Sequence, residues 1–404
     1  MNPPRGSLGV VFLTILIDLI GFGIIIPILP FVAQRFGAGG LGLGVLMGAF
    51  SGMQFVATTV LGRISDRVGR RPVLLATMLI NAVGYLLFAA AGTYPLLLLA
   101  RLVSGFASGN ISVAQAYVAD ISSPAERSKK MGILGAAFGI GFVVGPALGG
   151  FAGHYGGQAA PALVAAGLSL VNLVVAWRIL PESLRHEHRS ERALLDVTHT
   201  REALRNPRLR PLLLVWIFAA VSFTGYTAIL PLHTRQVWGW SARDLAGLFT
   251  VIGLVAAVVQ GWAFGKLAKR WGDRRLLIAG TFGMVLSIGV IPFIASEPSL
   301  YGWTVVLAFG NSLFAPGAMG MVSVLAGPME QGTMLGVAQS LAALGRMTGP
   351  EVIGATYDAT GALVGFLAAA ALMTVAGWFA MQVPRDAGAS AHALAAEPAA
   401  PLGD

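Results

Sequence analysis

The chain of 404 residues contains no cysteine, which excludes disulfides, thiolate metal sites and cysteine nucleophiles. Charge is nearly as scarce. Asp, Glu, Lys and Arg make up only 11% of the residues, against about 25% in an average soluble domain. A soluble globule of this length has too much surface to cover with so few charges. What fills the chain instead is apolar, 56% of it, with a mean hydropathy of +0.75. Glycine supplies 53 residues, nearly double its usual ~7% share. The apolar content excludes disorder, and the lack of a Gly-X-Y period excludes collagen. An all-α polytopic membrane protein satisfies all of these numbers.

The few charges are lopsided. Lys and Arg number 27 and Asp and Glu 18, a net charge of +9 with an isoelectric point near 10.3. Nucleic-acid binders share that balance. Loops beside membrane spans acquire it through topology, however, so no nucleic-acid partner is expected.

About 20 apolar residues cross the ~30 Å hydrocarbon core of a bilayer. Twelve runs qualify: 8–30, 41–62, 72–93, 95–119, 131–153, 159–180, 210–232, 243–265, 276–295, 299–326, 333–356 and 361–383. The first follows Arg5, is long, and has no small-residue cleavage site, so it reads as an uncleaved span. The longest polar segment, 181–209, separates six spans from six. The expected organisation is an N-terminal six-helix bundle (1–180), a cytoplasmic loop (181–209), a C-terminal six-helix bundle (210–383) and a disordered tail (384–404). With the N-terminus inside, 22 of the 27 basic residues fall in cytoplasmic segments, and only Arg35, Arg235 and Arg243 in outer loops. Both termini are therefore expected in the cytoplasm.

The two halves repeat each other. GRISDRVGRR (62–71) matches GKLAKRWGDRR (265–275) at an offset of 203, Gly145-Pro146 recurs as Gly349-Pro350 at 204, and Pro30 as Pro231 at 201. A parallel duplication relates its halves by an axis along the membrane normal and places a substrate site between them near the midplane.

Residues 62–71 resemble the helix 2–3 loop signature of the major facilitator superfamily. GILGAAFGIGFVVGPALGG (132–150) is similar to the helix 5 signature of its proton-coupled drug exporters. IDLIGFGIIIPILP (17–30) and RLVSGFASGN (101–110) resemble the helix 1 and helix 4 signatures of the same group. The resemblance extends over all twelve spans and is nearest to the tetracycline-efflux-like branch. It implies a monomer of the bacterial inner membrane, with no cofactor, that exchanges protons for small hydrophobic compounds by alternating access.

On residues 62–71, the resemblance implies a conformational latch of Gly62, Asp66, Arg67, Gly69, Arg70 and Arg71, completed by Asp120 and holding the halves together in the outward-open state. Asp66 suits the positive end of a neighbouring helix. The bland alternative is a solvated basic loop. Gly135, Gly139, Gly141, Gly145 and Gly149 recur at helical spacings that permit close packing, and Pro146 interrupts the backbone ladder. Gly44, Gly48 and Gly52 repeat that spacing in the second span.

Four charges remain inside spans. Asp18 lies in the middle of the first, where a carboxyl is costly unless paired or wetted. It is a candidate proton carrier, taking a proton when shut from water and releasing it when wetted. Its counterpart by the 201 offset is Ala219, so the repeat supplies no symmetric partner. Arg101 shares one helix face with Gly105 and Gly109, and Asp18 is its expected counter-charge. Glu351 follows Gly349-Pro350, with Arg346 five residues earlier, and is either half of a structural pair or a second titrating site.

Candidate substrate contacts are Gln54, Asn110, Gln115, Tyr117, Phe138, Gln260, Asn311 and Phe314, each also explicable as ordinary helix packing. The resemblance places spans four and ten along the cavity. The tetracycline exporters carry acids in the helix 3 and helix 9 regions, where this chain reads NAVGYLLF (81–88) and GTFGMVLS (280–287). That absence weighs against a metal-chelated, tetracycline-like substrate without removing it, and sets a neutral or cationic hydrophobic compound at least level with it. No Ser/His/Asp arrangement, metal cluster or phosphate-cradling glycine loop marks an enzyme, and no polar stripe marks a channel. The remaining alternative is a proton-coupled importer of a small metabolite or sugar on the same fold.

Overall fold

The computed structural model describes residues 7–122, 124–183 and 198–384, with some side chains in 124–142 and 323–333 outside the description. Among these residues there is no strand. The helices are α1 (Ser7–Ile25), α2 (Leu29–Arg35), α3 (Gly40–Val68), α4 (Arg70–Ala89), α5 (Tyr94–Ala107), α6 (Asn110–Asp120), α7 (Pro124–Gly156), α8 (Ala160–Ile179), α9 (Thr198–Arg205), α10 (Arg210–Trp238), α11 (Ala242–Val258), α12 (Phe264–Trp271), α13 (Asp273–Val290), α14 (Glu297–Thr360) and α15 (Ala362–Gln382). A backbone that spans lipid must satisfy its own polar groups, and a helix does so within one segment.

Ten candidate spans among the described residues are long and apolar enough to cross a membrane. α5 with α6, and α11 with α12, each form one interrupted span. A π-helical turn, Val259–Ala263, joins the last two. α14 covers two crossings. A straight helix would separate Phe314 from Gly345 by about 46 Å. Yet Phe314 meets Trp216 edge-on at 5.9 Å, and a Cβ on Gly345 would meet Ala220 at 2.7 Å. Both contacts lie on one turn of α10, so the chain reverses between them. With α7, this is consistent with twelve crossings. The tail beyond residue 384 and most of the central segment lie outside the described residues.

The duplication is visible atom by atom. Gly141 and Gly145 of α7 lie against Leu19, Ile20 and Gly23 of α1, while Gly345 and Gly349 of α14 lie against Ala220, Val221 and Thr224 of α10. Gly69 (φ 110°, ψ 156°) and Gly272 (φ 76°, ψ 152°) both sit between abutting helices, in a conformation that side chains resist. Arg71 donates to the Trp177 carbonyl and Arg274 to that of Met381, each at 2.6 Å. Residues 63–71, expected as a loop, are almost entirely helical: α3 runs on to Val68, and Gly69 alone separates it from α4.

The charged segments around Gly69, Gly272 and Glu182 mark one end of the bundle, called here the basic end. At the opposite, far end the halves are packed together. Gly48 approaches the Met347 carbonyl of α14 so closely that a Cβ would sit 2.6 Å from it, and Gly52 would meet the Met347 sulfur at 2.9 Å. Gly44 faces Pro350 and Glu351, and Gly40 faces Gly354. Asp358, at the far end of α14, accepts from the Gly40 and Leu41 amides at 2.7 and 2.8 Å. These are the first amides of α3, where a helix favours an anion. Gly150 of α7 meets Ala246 of α11 in the same way.

The hydrophobic core follows this division. Leu232, Ala242 and Tyr357 of the second half join a first-half cluster built on Ile24, Ile25, Leu43 and Leu46. Among the described residues, the first-half cluster on Val11, Leu61, Val73 and Leu180 contains no second-half residue, and the cluster on Val259, Leu276 and Leu313 contains none from the first. The halves are therefore sealed at the far end and separate toward the basic end.

Gly44→Leu tests this seam, because its side chain would overlap Pro350 and Glu351. The expected outcome is a longer distance between spin labels on cysteines replacing the exposed Leu41 and Val237, which the cysteine-free chain lets one place without background. An unchanged distance distribution would show that the glycine contact does not hold the far end shut.

Candidate functional site

Asp18 of α1 is the only carboxylate among the described residues classed as buried. It accepts from the Asn110 amide of α6 at 2.5 Å and from the Asn81 amide of α4 at 3.1 Å. Three helices thus converge on one carboxyl. The oxygens of both amides are buried without a partner, so each asparagine offers its donor to the acid. Hydrogen bonds to a charged group are worth about 1.5–3 kcal/mol each. Tyr85 of α4 completes the surroundings, its hydroxyl against Gly21. Asn110, a candidate substrate contact on sequence, is committed here to Asp18 instead.

Arg101 does not pair with Asp18, contrary to expectation. The glycine face of α5 turns toward α3: Gly105 packs on Phe50 and Gly109 on Ala57 and Thr58. Arg101, one turn earlier, follows the same face. Its guanidinium lies 4.3 Å from the Phe50 ring centroid, and Nε donates to the Leu46 carbonyl at 3.5 Å. Phe22 of α1 stacks on Phe50 at 5.2 Å. The charge is satisfied by a ring and a carbonyl, as a desolvated Arg can be.

Glu351 and Arg346 form no ion pair with each other. Five residues along a helix turn their side chains about 140° apart. Glu351 points at α3, where its Oε1 lies 2.7 Å from the Cβ position of Gly48.

At the basic end, Arg70 is buried, and it gathers the charged motif. Its guanidinium meets Asp66 at 2.5 Å and Asp120 at 3.2 Å. It also donates to the Ser65 hydroxyl at 2.6 Å and to the Gly62 carbonyl at 3.4 Å. Glu182, absent from the sequence expectation, accepts from the Arg70 and Arg71 amides at 2.9 and 3.1 Å, capping α4. Gly69 leaves room for it, since a Cβ there would sit 2.5 Å from the Glu182 carboxylate. Ser183 donates to Asp120 at 3.1 Å. All of these partners belong to the first half or to the start of the central segment, and Arg67 is exposed. In this conformation the motif ties helices α3, α4, α6 and the start of the central segment together.

The remaining candidates scatter. Tyr117 is fully buried, and its hydroxyl donates to the Pro181 carbonyl at 2.9 Å, so it anchors the central segment rather than lining a cleft. Gln54 donates weakly to the Ser108 carbonyl at 3.4 Å. Gln115 and Gln260 are exposed, Gln260 within the π-helical turn, and Asn311 is half-buried. Phe314 packs into the second-half core against Trp216. Gly141, Gly145, Pro146 and Gly149 are buried, and Gly149 packs on Ile24. Phe138, Gly135 and Gly139 lie outside the residues described at this level.

A helical bundle in two repeated halves, sealed at one end and parted at the other, with a buried acid inside one half, is the architecture of a membrane transporter. The chain belongs to the Major Facilitator Superfamily, whose family model matches residues 11–270 and 262–402. It is 31% identical to the class E tetracycline resistance protein of Escherichia coli over 86% of both chains. It is 29% identical to mouse major facilitator superfamily domain-containing protein 10 over 90% of both. The crystal structure of the human organic anion transporter MFSD10 superposes with a TM-score of 0.71 at 27% identity, covering 94% of this chain and all of that one. An inward-facing bacterial homologue of the lysosomal transporter Spinster, only 16% identical, shares the fold with a TM-score of 0.73. The protein is accordingly a transporter and not an enzyme.

Removing one amide from Asp18 should leave a buried charge short of a donor. Asn110→Ala is expected to lower stability by about 1–3 kcal/mol, and Asp18→Asn to be non-additive with it. Thermal unfolding in detergent measures both, and strict additivity of the two changes would show that the bond carries no coupling. Arg70→Ala should cost more than Asp66→Ala, because it removes at once the shared cation of two carboxylates and a donor to a buried hydroxyl.

Proposed function

We propose that this transporter is a proton-coupled exporter of small hydrophobic compounds, working as an antiporter in a bacterial inner membrane with both termini in the cytoplasm. The observation that carries the reading is the isolated carboxyl of Asp18, buried in the first half between two amides. A lone acid within a span, bonded only to neutral groups, can gain or lose a proton without breaking an ion pair. The names of relatives as tetracycline resistance proteins support efflux. The charge distribution supports the orientation, with the basic end in the cytoplasm.

In that orientation the structure corresponds to an inward-open state. Substrate enters from the cytoplasm while the far end is held by the α3–α14 seam and the Asp358 cap. Rocking of the halves about the glycine contacts would open the far end and expose the Asp18 cradle to protons from outside. The basic-end motif, now bonded within the first half, would engage the second half as that end closes. Asp66 and Arg67 are its accessible members.

Asp18→Asn should abolish transport driven by a pH gradient while leaving folding and membrane insertion intact. The measurement is drug accumulation in inverted vesicles with a pH reporter. Normal transport by the variant would remove Asp18 from the coupling. Proton flux opposite to substrate marks exchange, whereas joint movement would point to an importer. Asp66→Ala should slow turnover with little change in substrate affinity, and an unchanged turnover would reduce the motif to a solvated helix end.

A further inference from the structure

Of the two cations buried in the spans, Arg101 and Arg346, the second stands apart. Asp18 has two amides, and Arg101 has a ring and a carbonyl. Arg346 of α14 is half-buried and, among the described residues, has no hydrogen bond, ion pair or aromatic ring partner.

Its direction follows from its neighbours on the helix. Gly345, Gly349 and Ile353 face α10, where they meet Ala220, Val221 and Gly225. Met347, Pro350 and Gly354 face α3, where they meet Gly48, Gly44 and Gly40. Leu344 and Val352 are exposed and face away from both. Successive residues of a helix are about 100° apart, so Arg346 projects between the two stripes, on the side opposite Leu344 and Val352. That places it in the wedge between α3 of the first half and α10 of the second.

Its depth follows as well. Along the same face, Gln339 is exposed, Arg346 half-buried and Ile353 fully buried. Met347, the next residue, makes the first α3 contact of the far-end seal. Arg346 therefore stands at the floor of the cleft, where the halves begin to touch. The acid on the same helix, Glu351, is turned toward Gly48 and does not neutralise it. The flanking residues on that face, Ala342, Ala343, Pro350 and Ile353, are apolar.

We propose that Arg346 anchors a substrate site at the closed end of this cleft, and that the substrate it takes is a small organic anion, a carboxylate or sulfonate on an apolar body. A guanidinium offers a planar fork matched to such a group, and an unpaired charge within the membrane strongly favours a ligand of opposite sign. The absence of acids in 81–88 and 280–287, which on sequence favours a neutral or cationic compound, also removes carboxylates that would repel an anion. The proposal rests on the transporter reading but not on the direction of proton flow.

The test uses the purified full chain in detergent, with fluorescein as the anionic probe and ethidium as a hydrophobic cation. Wild-type protein should raise the fluorescence anisotropy of fluorescein. R346Q should weaken fluorescein binding on the order of tenfold or more, and R346K, which keeps the charge but loses the fork, should fall between. Ethidium binding should not weaken in either variant. The unfolding temperature of each variant separates a lost site from a lost fold, and R346K provides the comparison if R346Q does not fold. Wild-type binding of ethidium but not fluorescein overturns the proposal, as does binding of neither, or R346Q binding fluorescein as wild type does. Anisotropy is read without a pH gradient. Fluorescein bound by wild type but not concentrated in inverted vesicles under a gradient would uphold the site and count against proton exchange.

Discussion

Hydrocarbon satisfies no polar group, and the structure is organised by that constraint. It confines spanning segments to structures that satisfy their own backbone, here helices, and decides what each remaining charge must find. Asp18 is met by two amides from two other helices. Arg101 is met by the face of Phe50. Arg70, at the membrane boundary, is met by two carboxylates, a hydroxyl and a carbonyl. Each solution draws separate helices to one point, so the polar groups specify the packing as much as the apolar ones do.

Apolar burial cannot hold helices together where lipid is equally apolar, so close packing has to do so. Glycine provides it twice over. Within each half, α7 on α1 and α14 on α10 use the same residues one repeat apart. Between the halves, Gly40, Gly44 and Gly48 of α3 lay one backbone against another. The internal contacts are duplicated, but the seam between halves joins α3 to the part of α14 that follows its reversal. That seam runs along one end only, which is the geometric condition for a bundle that opens alternately.

The repeat also shows where symmetry was abandoned. Ala219 occupies the place of Asp18, and Asp273 that of Arg70, by the offsets of 201 and 203. The acid cradle and the Arg70 cluster are thus features of the first half alone, while Arg346 belongs to the second. Unlike halves place the proposed proton site and the proposed substrate site on opposite sides of the seam between them.

Composition, the helical character of the spans and the glycine spacings were legible in the sequence because they are local and periodic. So was the abnormality of Asp18, Arg101, Arg346 and Glu351, since a charge inside an apolar run needs no partner to be noticed. Partners were not legible. Arg101 was expected at Asp18 and lies on Phe50, because the face of α5 that carries its glycines turns to α3. Tyr117 and Asn110 were expected to face substrate and are bound to Pro181 and Asp18. Glu182 and Asp358 gave no signal, because each caps a helix far away in the chain: 112 positions separate Glu182 from Arg70, and 318 separate Asp358 from Gly40. The sequence by itself determined that this is a membrane bundle of repeated halves with few, conspicuous interior charges, because periodicity and polarity act residue by residue. Which charges are satisfied, which stand free, and which end is shut were decided only by the tertiary structure, because those depend on the rotation and approach of helices that linear spacing does not record.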